Sequence, residues 1–268
     1  MRNTGVATRI GLGFRSEMLD WEPAAIKADF FEVAPENWIR RDRAPLYRLL
    51  EIGRPIQLHG VSLNLGGHGE IGQDFLRSVR ELIDDLGTSY YSDHLAASGD
   101  AHQLYDLFPI PFTEAEVIRV SDRIRSVQDV LGRRIGVENT TYYTNVGDLS
   151  EAEFLARVAE RADCDILLDV NNIRVNDKNH GKATIDQFLS QIDCQRASYL
   201  HVAGHEFDDR FGLYMDTHSQ PVEADTATAT RMLAQKYNKA ILLEWDNDVP
   251  DLTTINRELA CLRNSSIM

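Results

Sequence analysis

A single (β/α)8 barrel spanning residues 1–268 is the fold that this sequence predicts. Short apolar, β-branched segments alternate with longer amphipathic ones from end to end, and eight of the short ones can be counted. Those segments are apolar almost continuously, which suits parallel strands covered on both faces. Polar, ionisable residues stand at their C-terminal ends, where barrel strands open onto a common mouth. An open doubly wound sheet is the alternative with the same alternation. No linker, repeat or low-complexity tract divides the chain.

The strands are expected at 10–14, 30–33, 56–59, 90–94, 135–139, 166–170, 199–203 and 241–245. Between them, residues 74–86 place Phe75, Val79, Leu82, Ile83 and Leu86 on one helical face and stop at Gly87, a natural C-terminal breaker. Residues 113–131 open Thr-Glu-Ala-Glu, a capping box with Thr113 as cap and Glu116 at the third helical position; residues 150–162 open Ser-Glu-Ala-Glu in the same way. Two further helices are expected at 224–237 and 252–262.

The formal charge of −14 argues against a binder of phosphate backbones, which would carry a basic footprint. It suits a protein that repels polyanions and attracts cations or basic partners. Cys164, Cys194 and Cys261 form no C-x-x-C pair, so neither a disulfide scaffold nor a thiolate zinc site is expected; all three read as structural. The first residues lack the apolar stretch of a signal peptide, and no apolar run approaches the ~20 residues that cross a bilayer. A cytoplasmic protein is the expectation.

The chemistry gathers at the strand ends. His59, His94, Glu138, Asp169, His201 and Glu244 each close or nearly close a strand; Asn172 follows Asp169, and Asp216 and His218 stand between the last two strands. The strand-end members lie 31 to 44 residues apart, about one β–helix–β unit each, so a barrel brings them to one cavity. Singly, each His or carboxylate would be read as an ordinary hydrogen-bonded residue. Together they make an anionic cluster with no Lys or Arg on the same strands, which is costly away from water. A cation resolves the cost, and imidazole with carboxylate and no sulfur suits zinc, manganese or iron. The donors exceed what one tetrahedral ion needs, so a multinuclear site is expected.

These residues carry a resemblance. Their order resembles the ligand order of the xylose isomerase/endonuclease IV barrel superfamily. Whole segments resemble the multinuclear non-haem iron-dependent oxidases (MNIO): Phe-Glu-Val-Ala-Pro-Glu-Asn-Trp at 31–38, His-Gly-Val-Ser-Leu at 59–63, Ser-Asp-His-Leu at 92–95 and Leu-Phe-Pro-Ile-Pro-Phe-Thr at 107–113. Others are Glu-Asn-Thr-Thr-Tyr-Tyr at 138–143, Leu-Leu-Asp-Val-Asn-Asn at 167–172, Asn-His-Gly at 179–181, His-Val-Ala-Gly-His at 201–205, Asp-Thr-His-Ser-Gln-Pro-Val at 216–222 and Glu-Trp-Asp-Asn-Asp-Val-Pro at 244–250. The resemblance implies that His59, His94 and Glu138 hold one metal, that Glu138 bridges to a second held by Asp169, His201 and Glu244, and that Asn172, Asp216 and His218 hold a third. Glu138, His94 and Asp169 would be the catalytic members. It further implies two or three iron ions, dioxygen as cosubstrate, a ribosomally made precursor peptide as substrate, oxidised commonly at cysteine, and a separate protein that presents the peptide. Asn172 stands where the endonuclease branch carries His; its amide oxygen is the weaker donor and makes that site more labile. A zinc phosphodiesterase and a barrel that binds metal or peptide without chemistry are the competing readings.

His180 and His205 lie in matching segments but are expected outside the metal set. His68 and His102 read as exposed loop residues. Glu36 and Asn37 are candidates for lining the mouth and Trp38 for closing it. Gly-Leu-Gly-Phe-Arg-Ser at 11–16 lacks the third glycine of a dinucleotide fingerprint.

Overall fold

The computed structural model describes residues 7–99, 107–144 and 147–263. Eight parallel strands close into a barrel: β1 (Ile10–Gly13), β2 (Phe30–Val33), β3 (Ile56–Gly60), β4 (Tyr91–His94), β5 (Gly136–Glu138), β6 (Asp165–Asp169), β7 (Ala197–Val202) and, after an excursion, β10 (Ala240–Leu243). Each pairs with its neighbours in sequence, and β10 closes the ring between β7 and β1. The excursion is a two-stranded antiparallel ribbon, β8 (Glu206–Asp208) and β9 (Leu213–Met215).

All eight expected strands are present, with shifts at their ends. The fourth and fifth begin one residue late, and the sixth stops at Asp169 because Val170 already belongs to a helix. The helices are α1 (Ala44–Glu51), α2 (Gln73–Leu86), α3 (Glu114–Leu131), α4 (Glu151–Ala162), α5 (Val170–His180), α6 (Ile185–Leu189), α7 (Ala224–Tyr237) and α8 (Leu252–Arg263). The β1–β2 connection carries only short 3₁₀ turns at Ser16–Met18 and Pro23–Ala25.

Local chemistry accounts for these boundaries. Gly87 and Gly132 end α2 and α3 in the left-handed conformation, at φ 63° and 67°, where a side chain would be strained. Ser150 and Glu153 form a complete capping box on α4. On α3 only half of that device is built: Thr113 Oγ1 accepts from Glu116 N, but the Glu116 carboxylate turns to Arg119. The outer faces of the strands and the inner faces of the helices make one continuous core that includes Leu12, Phe31, Val79, Ile124, Phe154, Ile166 and Leu243. Inside the barrel, Phe30, Leu167, Tyr199 and Leu242 form a smaller apolar plug. The plug fills the bottom of the barrel and leaves polar residues to its open end. No described helix is long and apolar enough to cross a membrane.

Candidate metal centre

Strand pairing sets the first contacts. His94 lies opposite Glu138, Asp169 opposite His201, and His59 opposite Ser92. Glu138 Oε2 stands 2.9 Å from His59 Nε2 and 3.3 Å from His94 Nε2; the two Nε2 atoms are 3.3 Å apart. Glu138 Oε1 is 3.5 Å from His201 Nδ1, which lies 3.0 Å from Glu244 Oε2. Two donor groups therefore share Glu138: His59, His94, Glu138, and Glu138, Asp169, His201, Glu244.

Asp216 and His218 arrive from the segment after the ribbon. His218 Nε2 is 2.9 Å from Asp216 Oδ1, and its Nδ1 is 3.2 Å from Asp246 Oδ2 and 3.8 Å from Glu244 Oε2. The His218 backbone is left-handed, φ 49°, an uncommon state for a residue with a side chain. It is held by His218 N donating to Gly204 O and by Asp246 N donating to His218 O. Gly204 permits this, because a Cβ there would collide with the main chain of Gln220. Asn172, at the start of α5, lines the same cavity of about 180 Å³ as His94, Glu138, Thr141, Asp216 and His218.

The polar atoms are left incomplete in a way that fits metal. Asp169 Oδ2 and Asn172 Oδ1 are buried without a hydrogen-bond partner, and Glu138 Oε2, His201 Nδ1 and His218 Nε2 face one another's ionisable groups at 2.9 to 3.0 Å without forming a well-directed hydrogen bond, an arrangement that is costly unless something is coordinated. The opposite side of three of the rings, of Asp169 and of Asn172 is occupied, whereas His94 Nδ1 is buried without a partner. His59 Nδ1 meets Ser92 Oγ at 2.9 Å, His201 Nε2 meets Glu32 Oε2 at 2.9 Å, and Asp246 takes His218 Nδ1. Asp169 Oδ1 accepts from Asn172 N at 2.7 Å, and Asn172 Nδ2 donates to Asn139 O. Ligating imidazoles are held in this manner, with one nitrogen inward and the other fixed by an outer acceptor.

Electrostatics agrees. Burial, then the charges of Glu138 and Asp216, push the Asp169 carboxyl well above the carboxylate range. Burial alone would lower His59, but Glu138 outweighs it and carries the ring to about 9. Burial, with His59 beside it, drops His94 to about 4, so that ring is neutral at pH 7. Glu244 and Glu32 likewise overcome burial and hold His201 well above its usual range. Without a cation the cluster must keep protons to balance its carboxylates.

The sequence reading missed three members of this environment. Glu32 sits in the middle of β2, where it also accepts from Tyr199 OH; a charge inside Phe-Phe-Glu-Val was its signal. Arg15, just past β1, donates to Asp246 Oδ1 at 2.6 Å and reaches Glu244 Oε1 at 3.4 Å. The strands that carry the donors hold no Lys or Arg, as expected, but Arg15 reaches the cluster from beyond β1 and gives the 11–16 segment a role unrelated to dinucleotides. Asp246, only two residues from Glu244, groups with His218 and Glu244.

The remaining expectations resolve by position. His180 Nε2 donates to Tyr142 O and its ring stacks on Tyr142, outside the cluster. His205 also stands outside: Lys178 Nζ donates to its Nε2, its Nδ1 donates to Asn171 Oδ1, and Asn171 Nδ2 donates to Asp216 Oδ1. Glu36 accepts from Val61 N, Asn37 is exposed, and Trp38 is buried against the core just past the C-terminal end of β2. His68 is exposed, and His102 lies outside the described residues. Cys164 and Cys194 are buried, whereas Cys261 is exposed on α8 and has no packing role.

A family model described as RiPP precursor modification enzyme MbnB/TglH/ChrH matches residues 9–266. This chain belongs to that family. Curated relatives agree in length and sequence but carry uninformative labels. A UPF0276 protein of Alcanivorax borkumensis is 39% identical, covering 93% of this chain and 88% of the relative, and one of Pseudomonas aeruginosa is 40% identical, covering 94% and 90%. Among solved structures, a D-psicose 3-epimerase from Clostridium cellulolyticum superimposes with a TM-score of 0.64 at 12% identity, covering 95% of this chain and 96% of that one. Endonuclease IV from Thermus thermophilus gives 0.58 at 18%, covering 94% and 98%. At those identities the structures share the barrel with this family member and nothing more specific.

Proposed function

We propose that this family member is a multinuclear iron-dependent oxidase that uses dioxygen to modify a residue, cysteine first, of a ribosomally made precursor peptide. The observation that carries the reading is the chain of buried, incomplete oxygen and nitrogen donors at the barrel mouth, which contains no sulfur. Carboxylate and imidazole donors in that mixture suit iron. His59, His94 and Glu138 would hold one ion, Glu138, Asp169, His201 and Glu244 a second, and Asn172, Asp216 and His218 a third. Bound iron would supply a position for a substrate thiolate and the capacity to activate dioxygen.

The chain's own residues do the rest. His94, kept neutral by burial, offers a lone pair at pH 7. Ser92, Glu32 and Asp246 fix the ring orientations of His59, His201 and His218. Arg15 offsets part of the excess negative charge at Glu244 and Asp246. A cavity of about 180 Å³ admits one side chain and not a folded domain, so the reacting residue must arrive on an extended segment.

The test supplies iron-loaded protein with cysteine-containing peptides encoded beside its gene, and follows oxygen uptake and peptide mass. Turnover that needs ferrous or mixed-valent iron, and that is abolished when serine replaces the peptide's cysteine, supports the reading. Equal activity of a zinc-only preparation, or cleavage of abasic DNA without peptide oxidation, replaces it with a hydrolase.

A further inference from the structure

The β8–β9 ribbon joins His205 to Asp216, so one end lies at the metal centre and the other is tied to it through Asn171, which bonds both residues. Its register pairs Glu206 with Met215, Phe207 with Tyr214 and Asp208 with Leu213. Tyr214 N–H donates to Asn179 Oδ1 and Tyr214 C=O accepts from Asn179 Nδ2, both at 2.8 Å. The Asn179 side chain of α5 thus closes the outer edge of β9. It also shows which way the ladder alternates. In an antiparallel pair, directly opposed residues either bond each other or both point their main-chain groups outward. Tyr214 points outward, so Phe207 does too, away from β9 and along the other edge. Among the described residues nothing meets the Phe207 N–H or C=O.

That open edge is dressed for a ligand. The Phe207 ring is 50% exposed and packs edge-on against Tyr214 with ring centres 5.1 Å apart; Phe211, at the turn, is 65% exposed with Arg210 over it. Arg210 is taken up by the Asp208 carboxylate, which leaves Glu206 and Asp209 to make the rim acidic. A second copy of this chain would have to lay the same acidic edge against itself, and like charges directly opposed across a ladder are unfavourable. A basic, extended peptide meets neither objection: its main chain completes the ladder and its cations face the carboxylates.

We propose that the free edge of β8 receives the substrate peptide as a third strand, in antiparallel pairing at Phe207, and leads it into the mouth beside Asp216. The proposal rests on the peptide-modifying reading above, but its test does not. Full-length, metal-free protein is titrated into a fluorescein-labelled peptide of alternating lysine and valine, with anisotropy as the readout. Two control probes accompany it: the same peptide N-methylated at alternate main-chain amides, which keeps its charge, and a glutamate-for-lysine version.

The expected result is saturable binding of the lysine peptide, at least tenfold weaker for the N-methylated probe, and none for the glutamate probe. Phe207→Pro deletes the outward N–H without touching a bond inside the ribbon, so it should weaken binding at least tenfold with circular dichroism and thermal midpoint unchanged. If that variant misfolds, the N-methylated probe still tests the same main-chain pairing on the unaltered protein. Equal binding of the two lysine probes, or no saturable binding at all, overturns the proposal. A concentration-dependent dimer that Phe207→Pro abolishes assigns the edge to a second copy and overturns it too. If the lysine peptide pairs in this way while iron-loaded protein leaves every cysteine peptide of the preceding test unoxidised, the docking edge stands and the oxidase reading falls; oxidation of such a cysteine peptide at full rate by iron-loaded Phe207→Pro does the reverse.

Discussion

Glu138 stands between His59 and His94 on one side and His201 on the other, all within 3.5 Å of its two oxygens, so its charge serves two donor groups at once. Glu138→Gln keeps the shape and removes the anion. The variant should lose at least one metal per chain by elemental analysis while far-ultraviolet circular dichroism stays native; full metal content and activity would refute the shared-ligand assignment. Asn172→His should tighten the third position toward zinc, because imidazole is the better donor for a borderline ion. Competition between zinc and ferrous iron measures this, and an unchanged preference would place Asn172 outside the coordination shell. Glu32→Gln weakens the acceptor behind His201 and should cost about 10- to 100-fold in metal affinity. Seven of the nine candidate residues were legible because each ends a strand or follows one closely; Asp216 and His218 follow β9, which the sequence does not show, and stood out as an acid and an imidazole two residues apart. Glu32, Arg15 and Asp246 were not, since an outer partner has no required place along a strand and is recognised only once the rings it holds have positions.

At the scale of elements, the barrel strands were legible because parallel strands buried on both faces leave an uninterrupted apolar signature. Helices α1, α5 and α6 and the strands β8 and β9 were not read from the sequence, and three of them show why. Helix α5 begins with no loop after β6 and is polar over most of its length, Val-Asn-Asn-Ile-Arg-Val-Asn-Asp-Lys-Asn-His, because Asn171, Asn172 and Asn176 direct their amides to the strand ends and to Asp216 while Val170 and Ile173 alone join the continuous core. The β8 and β9 strands are three residues each and exposed or half-buried, too short to show a period. Helix α4 supplies a pH test. Burial pushes the Glu151 carboxyl at its start from 4.5 up to about 8, opposed only in part by the Asn176 amide. An acid whose folded value is raised stabilises the fold fully below its unfolded value, and that stability is lost as pH climbs from 4.5 through 8. Thermal midpoints of the metal-free protein should therefore fall across that window, and Glu151→Gln should flatten the fall. An identical slope in the variant would mean that the carboxyl is already ionised in the folded state.

For the whole molecule, the metal centre and the net charge of −14 pull in one direction. A metal-free mouth crowds carboxylates and retains protons on His59, His201 and Asp169, so loading at pH 7 should release protons into a weakly buffered solution. Binding to the folded state alone also stabilises it, by about 2.7 kcal/mol at a free metal concentration of 100 Kd, which for a chain of this size is on the order of five to ten degrees in thermal midpoint. Chelation that leaves the midpoint unmoved would deny that any ion is integral to the fold. Helix α5 extends this linkage beyond the mouth. Its first turn is capped by Asp169, whose other oxygen faces the centre, and its last turn carries Lys178, which touches His205, and Asn179, which grips Tyr214. The helix is therefore a lever with one end at the ions and the other at the ribbon. By thermodynamic reciprocity, whatever firms one end firms the other. The Tyr214 amide, remote in sequence from every donor but Asp216 and His218, becomes a gauge: its hydrogen exchange should slow when the centre fills.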